Sequence, residues 1–151
     1  MDSKLLSQLI DRYFSSMNTV QRAMNVMITE RMPKHLTSDQ FCILKYIGEQ
    51  EQCTSSELSE VFFVGKSSIT AMINRLAEKE LIVRHPDEKD RRVTYLALTE
   101  EGKRLSQELN RTIEQLLAKY IVHFEEEEAL AFINTLEKLG KVLSEQEGGR
   151  E

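Results

Sequence analysis

Between Leu58 and Leu98 the spacing of apolar side chains switches from a helical period to a strand period with no linker between them. From Lys66 to Lys79 the apolar positions are Ile69, Met72, Ile73 and Leu76, the threes and fours of one helix face. Directly after it, Leu81-Ile82-Val83-Arg84-His85 and Val93-Thr94-Tyr95-Leu96-Ala97-Leu98 are β-branched and alternating. The stretch Pro86-Asp87-Glu88-Lys89-Asp90 between them is polar and turn-forming, so the two runs predict a β-hairpin with a charged tip. A helix feeding straight into a hairpin leaves few small architectures open.

The flanking segments narrow them further. Thr37-Ser38-Asp39-Gln40 and Thr54-Ser55-Ser56-Glu57 both read as capping boxes, with a side-chain acceptor at the N-cap and a Gln or Glu three residues on. The first opens a helix that buries Phe41, Ile43, Leu44 and Ile47 and ends near Gly48–Gln50. The second opens a short helix with Leu58, Val61 and Phe62 inward. Val64-Gly65-Lys66-Ser67 then makes a tight turn, with Gly65 supplying backbone freedom at the corner. Helix, short helix, turn, helix and hairpin together predict a mainly α winged helix-turn-helix with a two-stranded wing over residues 36–99.

Long helices flank this unit. Residues 4–31 carry Leu6, Leu9, Ile10, Tyr13, Met17, Val20, Met24, Met27 and Ile28 on one face, and Pro33 ends the run. Thr99 caps another helix with Glu100 and Glu101 in its first turn, favourable to the helix dipole. Its stripe is Leu105, Leu109, Ile113, Leu116, Leu117, Tyr120 and Phe124. The acidic run Glu125–Glu128 starts a last helix with Leu130, Ile133, Leu136, Leu139 and Leu143 on one side, and residues 145–151 read as a frayed tail. These stripes exceed what so small a centre can cover. Residues 1–35 and 100–151 are therefore expected to pack against a second copy as dimerisation helices.

Charge is distributed unevenly. The chain carries a formal net charge of −5, yet residues 64–95 hold an excess of two positive charges while residues 96–151 hold an excess of five negative ones. A local basic surface can meet phosphates on an acidic protein. On the helix from Lys66 to Lys79, the face opposite the core collects Ser67, Thr70, Ala71, Asn74 and Glu78, with Arg75 at its margin and Lys66 and Ser68 to the sides. Such a small, hydrogen-bonding face suits a major groove, although an ordinary solvated face has the same composition. At the hairpin tip, Asp90-Arg91-Arg92 places a guanidinium where it can reach a minor groove, held by an aspartate two residues away through a bidentate pair. The bland alternative is a solvated turn with an exposed ion pair that contributes little.

The stretch Leu36–Leu105 resembles the multiple-antibiotic-resistance regulator (MarR) family of bacterial transcription factors. The residues that carry the resemblance are Leu36-Thr37, Phe41, Leu44, Ile47, Leu58-Ser59, Ser67-Ser68-Ile69-Thr70, Leu76, Leu81-Ile82, Asp90-Arg91-Arg92 and Leu96-Ala97-Leu98-Thr99-Glu100-Glu101-Gly102. It implies a homodimer joined through its terminal helices and bound to a palindromic operator in double-stranded DNA. In that arrangement the residues from Lys66 to Arg75 enter the major groove, and the wing enters the minor groove with Arg92 as its arginine and Asp90 as its partner. One departure is Glu80, where the family commonly has glycine before the Leu-Ile step. If that position is left-handed, glutamate costs about 1 kcal/mol there.

The resemblance also implies a regulator, most often a repressor, that responds to a small aromatic or phenolic ligand. Tyr13, Arg31 and His35 are the candidates to line its cavity, although tyrosine at helical spacing is more often core. Cysteine sensing finds no N-terminal match. Cys42 lies in an apolar stretch and reads as a small core residue, which leaves Cys53, in a loop, as the better thiol candidate. Three scattered histidines assemble no metal site, and no cofactor is expected. No nucleophile-base pair, phosphate loop or metal triad points to an enzyme. No leader or apolar span appears, so the cytoplasm is the expected compartment. The alternative function is a protein-protein adaptor that kept the winged fold without DNA affinity.

Overall fold

The first two helices of the central unit begin where a threonine side chain satisfies one of their first N–H groups. The computed structural model describes residues 2–147, with elements in the order α1 (Ser3–Thr29), α2 (Ser38–Glu49), α3 (Ser55–Val61), α4 (Lys66–Glu78), β1 (Ile82–Pro86), β2 (Thr94–Leu98), α5 (Glu100–Ile121) and α6 (Glu126–Glu147). Both Thr37 and Thr54 cap as expected, accepting from Gln40 N and Glu57 N at 3.2 Å. The first box is complete, because Gln40 Oε1 accepts in return from Thr37 N at 3.3 Å. The same oxygen accepts from Lys79 Nζ at 3.0 Å, which ties the start of α2 to the end of α4. That second contact accounts for a buried glutamine among apolar neighbours.

The strands pair antiparallel in a two-stranded sheet, with Ile82 opposite Leu98, Arg84 opposite Leu96 and Pro86 opposite Thr94. Leu96 N also donates to Cys53 O at 2.8 Å, which docks the loop before α3 onto the hairpin. The core of the winged helix is Phe41, Ile43, Leu44, Ile47, Leu58, Ile69, Ile73, Leu76, Leu81, Ile82 and Leu96. Tyr46 pins α2 to α3. Its hydroxyl donates to Glu57 Oε1 at 2.6 Å, which pushes the phenol up to about 12, and its ring stands edge-on to Phe62.

The chain divides into two compact units, Met1–Thr112 and Ile113–Glu151, and α5 crosses the boundary. The first holds α1 and the whole winged helix. No residue of α1 is buried in the single chain, and Leu6, Leu9, Ile10, Tyr13, Met17 and Val20 are all exposed. In the second unit α6 leaves Leu130, Ile133, Leu136 and Leu143 exposed. The helix runs to Glu147, so the expected tail from Glu145 is helical for its first part. Residues 148–151 lie outside the described residues. At the other end α1 stops at Thr29, two residues earlier than the period suggested.

Several local expectations are corrected. The left-handed residue in the turn between α3 and α4 is Phe63, with φ 52°, whereas Gly65 is extended at φ −59° and ψ 147° and caps α4. Val61 is exposed and Phe62 half-buried, because α3 is too short to turn both toward the core. Met72 is half-buried at the margin of the α4 core face. The cysteines exchange roles. Cys42 lies beside Phe41 and Ile43 in sequence, but 100° of helix rotation turns it outward. Cys53 is only 1% exposed, and burial beside Glu57 pushes its thiol up to about 11, so it is a poor nucleophile at neutral pH.

Glu80 is the second left-handed residue, at φ 57°. It ends α4 in a Schellman motif, with Leu81 N bonded to Leu76 O at 3.0 Å and Glu80 N to Ala77 O at 2.9 Å. Leu81 and Leu76, the two ends of the motif, are both buried. Glu80→Gly is therefore expected to raise unfolding stability by about 1 kcal/mol, because glycine adopts this geometry without a Cβ clash. Urea denaturation of the two proteins checks it, and equal midpoints would show that the left-handed geometry carries no cost here.

Candidate nucleic-acid interface

The exposed side of α4 is built by subtraction. Ile69, Ile73 and Leu76 point into the core, which leaves Lys66, Ser67, Ser68, Thr70, Ala71, Asn74, Arg75 and, at the C-terminal end, Glu78 exposed. Gly65 offers no side-chain cap, so the first N–H groups of α4 lack a side-chain acceptor. Thr70 Oγ1 donates to Lys66 O at 2.8 Å, so outward the hydroxyl presents acceptor lone pairs. The hydroxyls of Ser67 and Ser68 have no partner among the described residues. A groove would therefore meet a low ridge, uncharged from Ser67 to Asn74, with Lys66 and Arg75 at its sides and Glu78 at its far end.

Asn74 is committed. Its Oδ1 accepts from Arg84 Nη2 at 2.6 Å, which joins the third turn of α4 to the first wing strand. Arg84 was not singled out from sequence. The signal available was the alternation of β1, which places Arg84 on the face of Ile82.

The wing tip is a constructed loop. Asp87 N donates to Val93 O and Val93 N to Asp90 O, each at 2.9 Å, which closes the loop beyond the ladder. Asp87 Oδ1 accepts from Lys89 N at 2.7 Å and Asp90 N at 2.9 Å, and these bonds hold its carboxyl below the usual range. Asp87 lies in the polar stretch expected to turn, and its carboxylate is the acceptor that builds the turn. Arg92 donates through Nε to Asp90 Oδ1 at 3.0 Å and through Nη2 to Oδ2 at 2.9 Å. The bidentate pair lowers the Asp90 carboxyl and raises the guanidinium. Even so, the Arg92 side chain stays 89% exposed, so it is oriented without being covered. Arg91 beside it is exposed.

The three candidate ligand residues do not converge. Tyr13 lies in the middle of α1, and at 1.5 Å per residue Arg31 is roughly 25 Å further along the chain axis. Arg31 Nη1 donates to Met27 O at 2.8 Å, while the carbonyl of His35 accepts from Lys79 Nζ. An open cleft of about 550 Å³ lies elsewhere, between the end of α2, β2 and the first turns of α5, and none of the three lines it. Among the described residues no group of His, Cys, Asp and Glu is arranged to hold a metal ion. No helix among them is long and apolar enough to cross a membrane.

This geometry has relatives. The family model described as "MarR family" matches residues 36–94, the stretch that spans the helix-turn-helix and wing tip. The HTH-type transcriptional repressor MdtR of Bacillus subtilis (strain 168) is 30% identical over 145 residues, covering 95% of this chain and 94% of its own. The Streptococcus pneumoniae FabT structure, solved in complex with DNA, is similar with a TM-score of 0.75 and 27% identity over 93% of this chain and 99% of that one. The apo form of MarR from E. coli shares the fold, with a TM-score of 0.69 and 22% identity over 85% and 95% of the two chains. Because the kinship with MdtR runs almost end to end, well beyond the helix-turn-helix itself, the chain belongs to the MarR family of helix-turn-helix transcriptional regulators.

Proposed function

We propose that the protein is a cytoplasmic homodimeric repressor that binds a palindromic operator, with α4 in the major groove and the wing in the minor groove. In this reading residues 36–99 are the DNA-binding lobe, and residues 1–35 and 100–151 supply the dimer contacts. The observation that carries it is Arg92, held outward at the end of a narrow ribbon by a carboxylate that leaves it accessible. FabT, similar over nearly its whole length, was solved with DNA bound. The uncovered apolar stripes of α1 and α6 support the dimer, since exposed patches of that size mark interfaces. Lys66, Arg75 and Arg91 contact phosphates, while Ser67, Ser68, Thr70, Ala71 and Asn74 face base edges. For the effector we propose a small aromatic or phenolic ligand. Arg31 and His35 would come from one copy and Tyr13, too far along α1, from the other.

Fluorescence anisotropy with a palindromic duplex tests this reading. About six phosphate contacts per dimer predict that log affinity falls with log salt at a slope of about −5. Between 50 and 200 mM salt the loss is on the order of a thousandfold. Two chains per site are expected, with half-sites about 34 Å apart. A protein-protein adaptor, by contrast, shows no binding to any duplex at low salt and micromolar protein, and that result refutes the proposal.

A further inference from the structure

We infer that Arg84 and Asn74 form one donor unit that selects guanine at a single position of each operator half-site. The inference rests on the DNA-binding reading above and concerns what that reading leaves open, the identity of a base. It starts from the 2.6 Å bond between Arg84 Nη2 and Asn74 Oδ1. A guanidinium can only donate, so its partner must be the amide oxygen, and the orientation of the Asn74 amide follows. Both residues are exposed, and among the described residues no acceptor occupies Asn74 Nδ2.

An asparagine on a reading helix ordinarily recognises adenine by accepting from N6–H and donating to N7. Here the accepting half is engaged. Oδ1 retains a second lone pair, but the guanidinium bonded to it places positive charge where adenine would bring its own N6–H donor. What the unit presents freely is donors, namely the amide N–H groups of Asn74 and the remaining guanidinium N–H groups of Arg84. In the major groove guanine presents two acceptors side by side, O6 and N7, whereas adenine and thymine each offer a single one. The donor pair therefore matches guanine and repels the exocyclic amines of adenine and cytosine.

Placement agrees with this role. Asn74 stands one turn beyond Thr70 on the exposed ridge of α4, and Arg84 reaches it from β1, the strand that follows the helix. An arginine serving only as a phosphate anchor has no need to engage a reading residue.

The test is selection from a randomised duplex pool with the full-length protein and the variants Arg84→Met, Asn74→Ala and Asn74→Asp. Circular dichroism melting confirms that each is folded. The wild-type motif is expected to contain a symmetric guanine in each half-site. In Asn74→Ala that guanine loses at least about tenfold in enrichment while the other positions hold. Arg84→Met frees Oδ1, and adenine is expected to rise at the same position. Asn74→Asp keeps an oxygen for Arg84 but removes the amide donors, so the guanine is lost there too; this arm stands if Arg84→Met fails to fold. If Arg84→Met returns the wild-type motif with uniformly lower affinity, Arg84 is a phosphate contact and the inference fails alone. Adenine at this position in the wild-type motif also overturns it. A wild-type chain that enriches no sequence overturns both this inference and the DNA-binding reading.

Discussion

Arg92→Ala is expected to lower operator affinity about a thousandfold at matched salt, while the protein stays folded and dimeric. The size follows from the symmetry of the proposed dimer, since one substitution removes an arginine from both wings. An arginine placed in a groove is worth roughly 30-fold in binding, and two distant, independent sites multiply. The fold should not notice. The side chain is 89% exposed and, among the described residues, bonds only to Asp90, two residues away. Asp90→Ala separates orientation from charge, because it leaves the guanidinium in place but frees it to wander. A loss of about tenfold is expected there, from the cost of ordering one mobile side chain in each wing on binding. Asp90 is held ionised by Arg92, so the pair persists through the neutral range, and it is lost only as pH falls through the depressed Asp90 value. Anisotropy titrations at two salt concentrations check both variants. Wild-type affinity in Arg92→Ala would remove the wing from the interface. An unchanged salt slope beside a large loss would place Arg92 at base edges and not on phosphates.

What could be read ahead of the structure was what the chain determines locally. Both threonine caps, the hairpin strands to within a residue, and the Asp90–Arg92 pair depend on neighbours a few positions away. The failures share a different cause. Gly65 looked like the flexible corner because glycine tolerates any φ, yet tertiary packing put the left-handed turn on Phe63. The polarity of their sequence neighbours suggests a core Cys42 and a loop Cys53. Helix rotation and the docking of the 50s loop on β2 reversed that assignment. Glu80 is the intermediate case, where the Leu-Ile step marked a helix end and only the fold could show its hand. In the candidate interface, the ridge of α4 followed from the period alone. Arg84 did not, because a residue ten positions from Asn74 becomes its partner only once β1 folds back along α4.

Gly102→Ala is expected to destabilise the protein by about 3 kcal/mol, and the sign of the change is the sharper part of the expectation. Gly102 sits in the first turn of α5, where helix propensity alone favours alanine by about 1 kcal/mol. Against that, a methyl group on Gly102 would overlap the carbonyl oxygen of Leu81 and stand 3.0 Å from its carbon. Backbone is a poor neighbour to displace, and this carbonyl is fixed from two sides. It accepts from Thr99 N at 3.1 Å, and the residue before it is bound at 2.7 Å by Thr99 Oγ1, which itself accepts from Gly102 N at 3.0 Å. Thr99 and Gly102 thus clasp the Glu80–Leu81 corner, where α4 ends and the wing begins. The added methyl must push α5 off that corner or break the clasp, and either costs more than the propensity gain. A melting temperature lower by roughly 6–12 °C should follow, read at fixed protein concentration because the melting of the proposed dimer would depend on it. A higher one would mean that α5 can slide away freely, and the wing would then have no rigid base from which to hold Arg92. If instead the variant melts early and also binds the operator more weakly at temperatures where it is folded, the glycine is part of the scaffold that aims the wing.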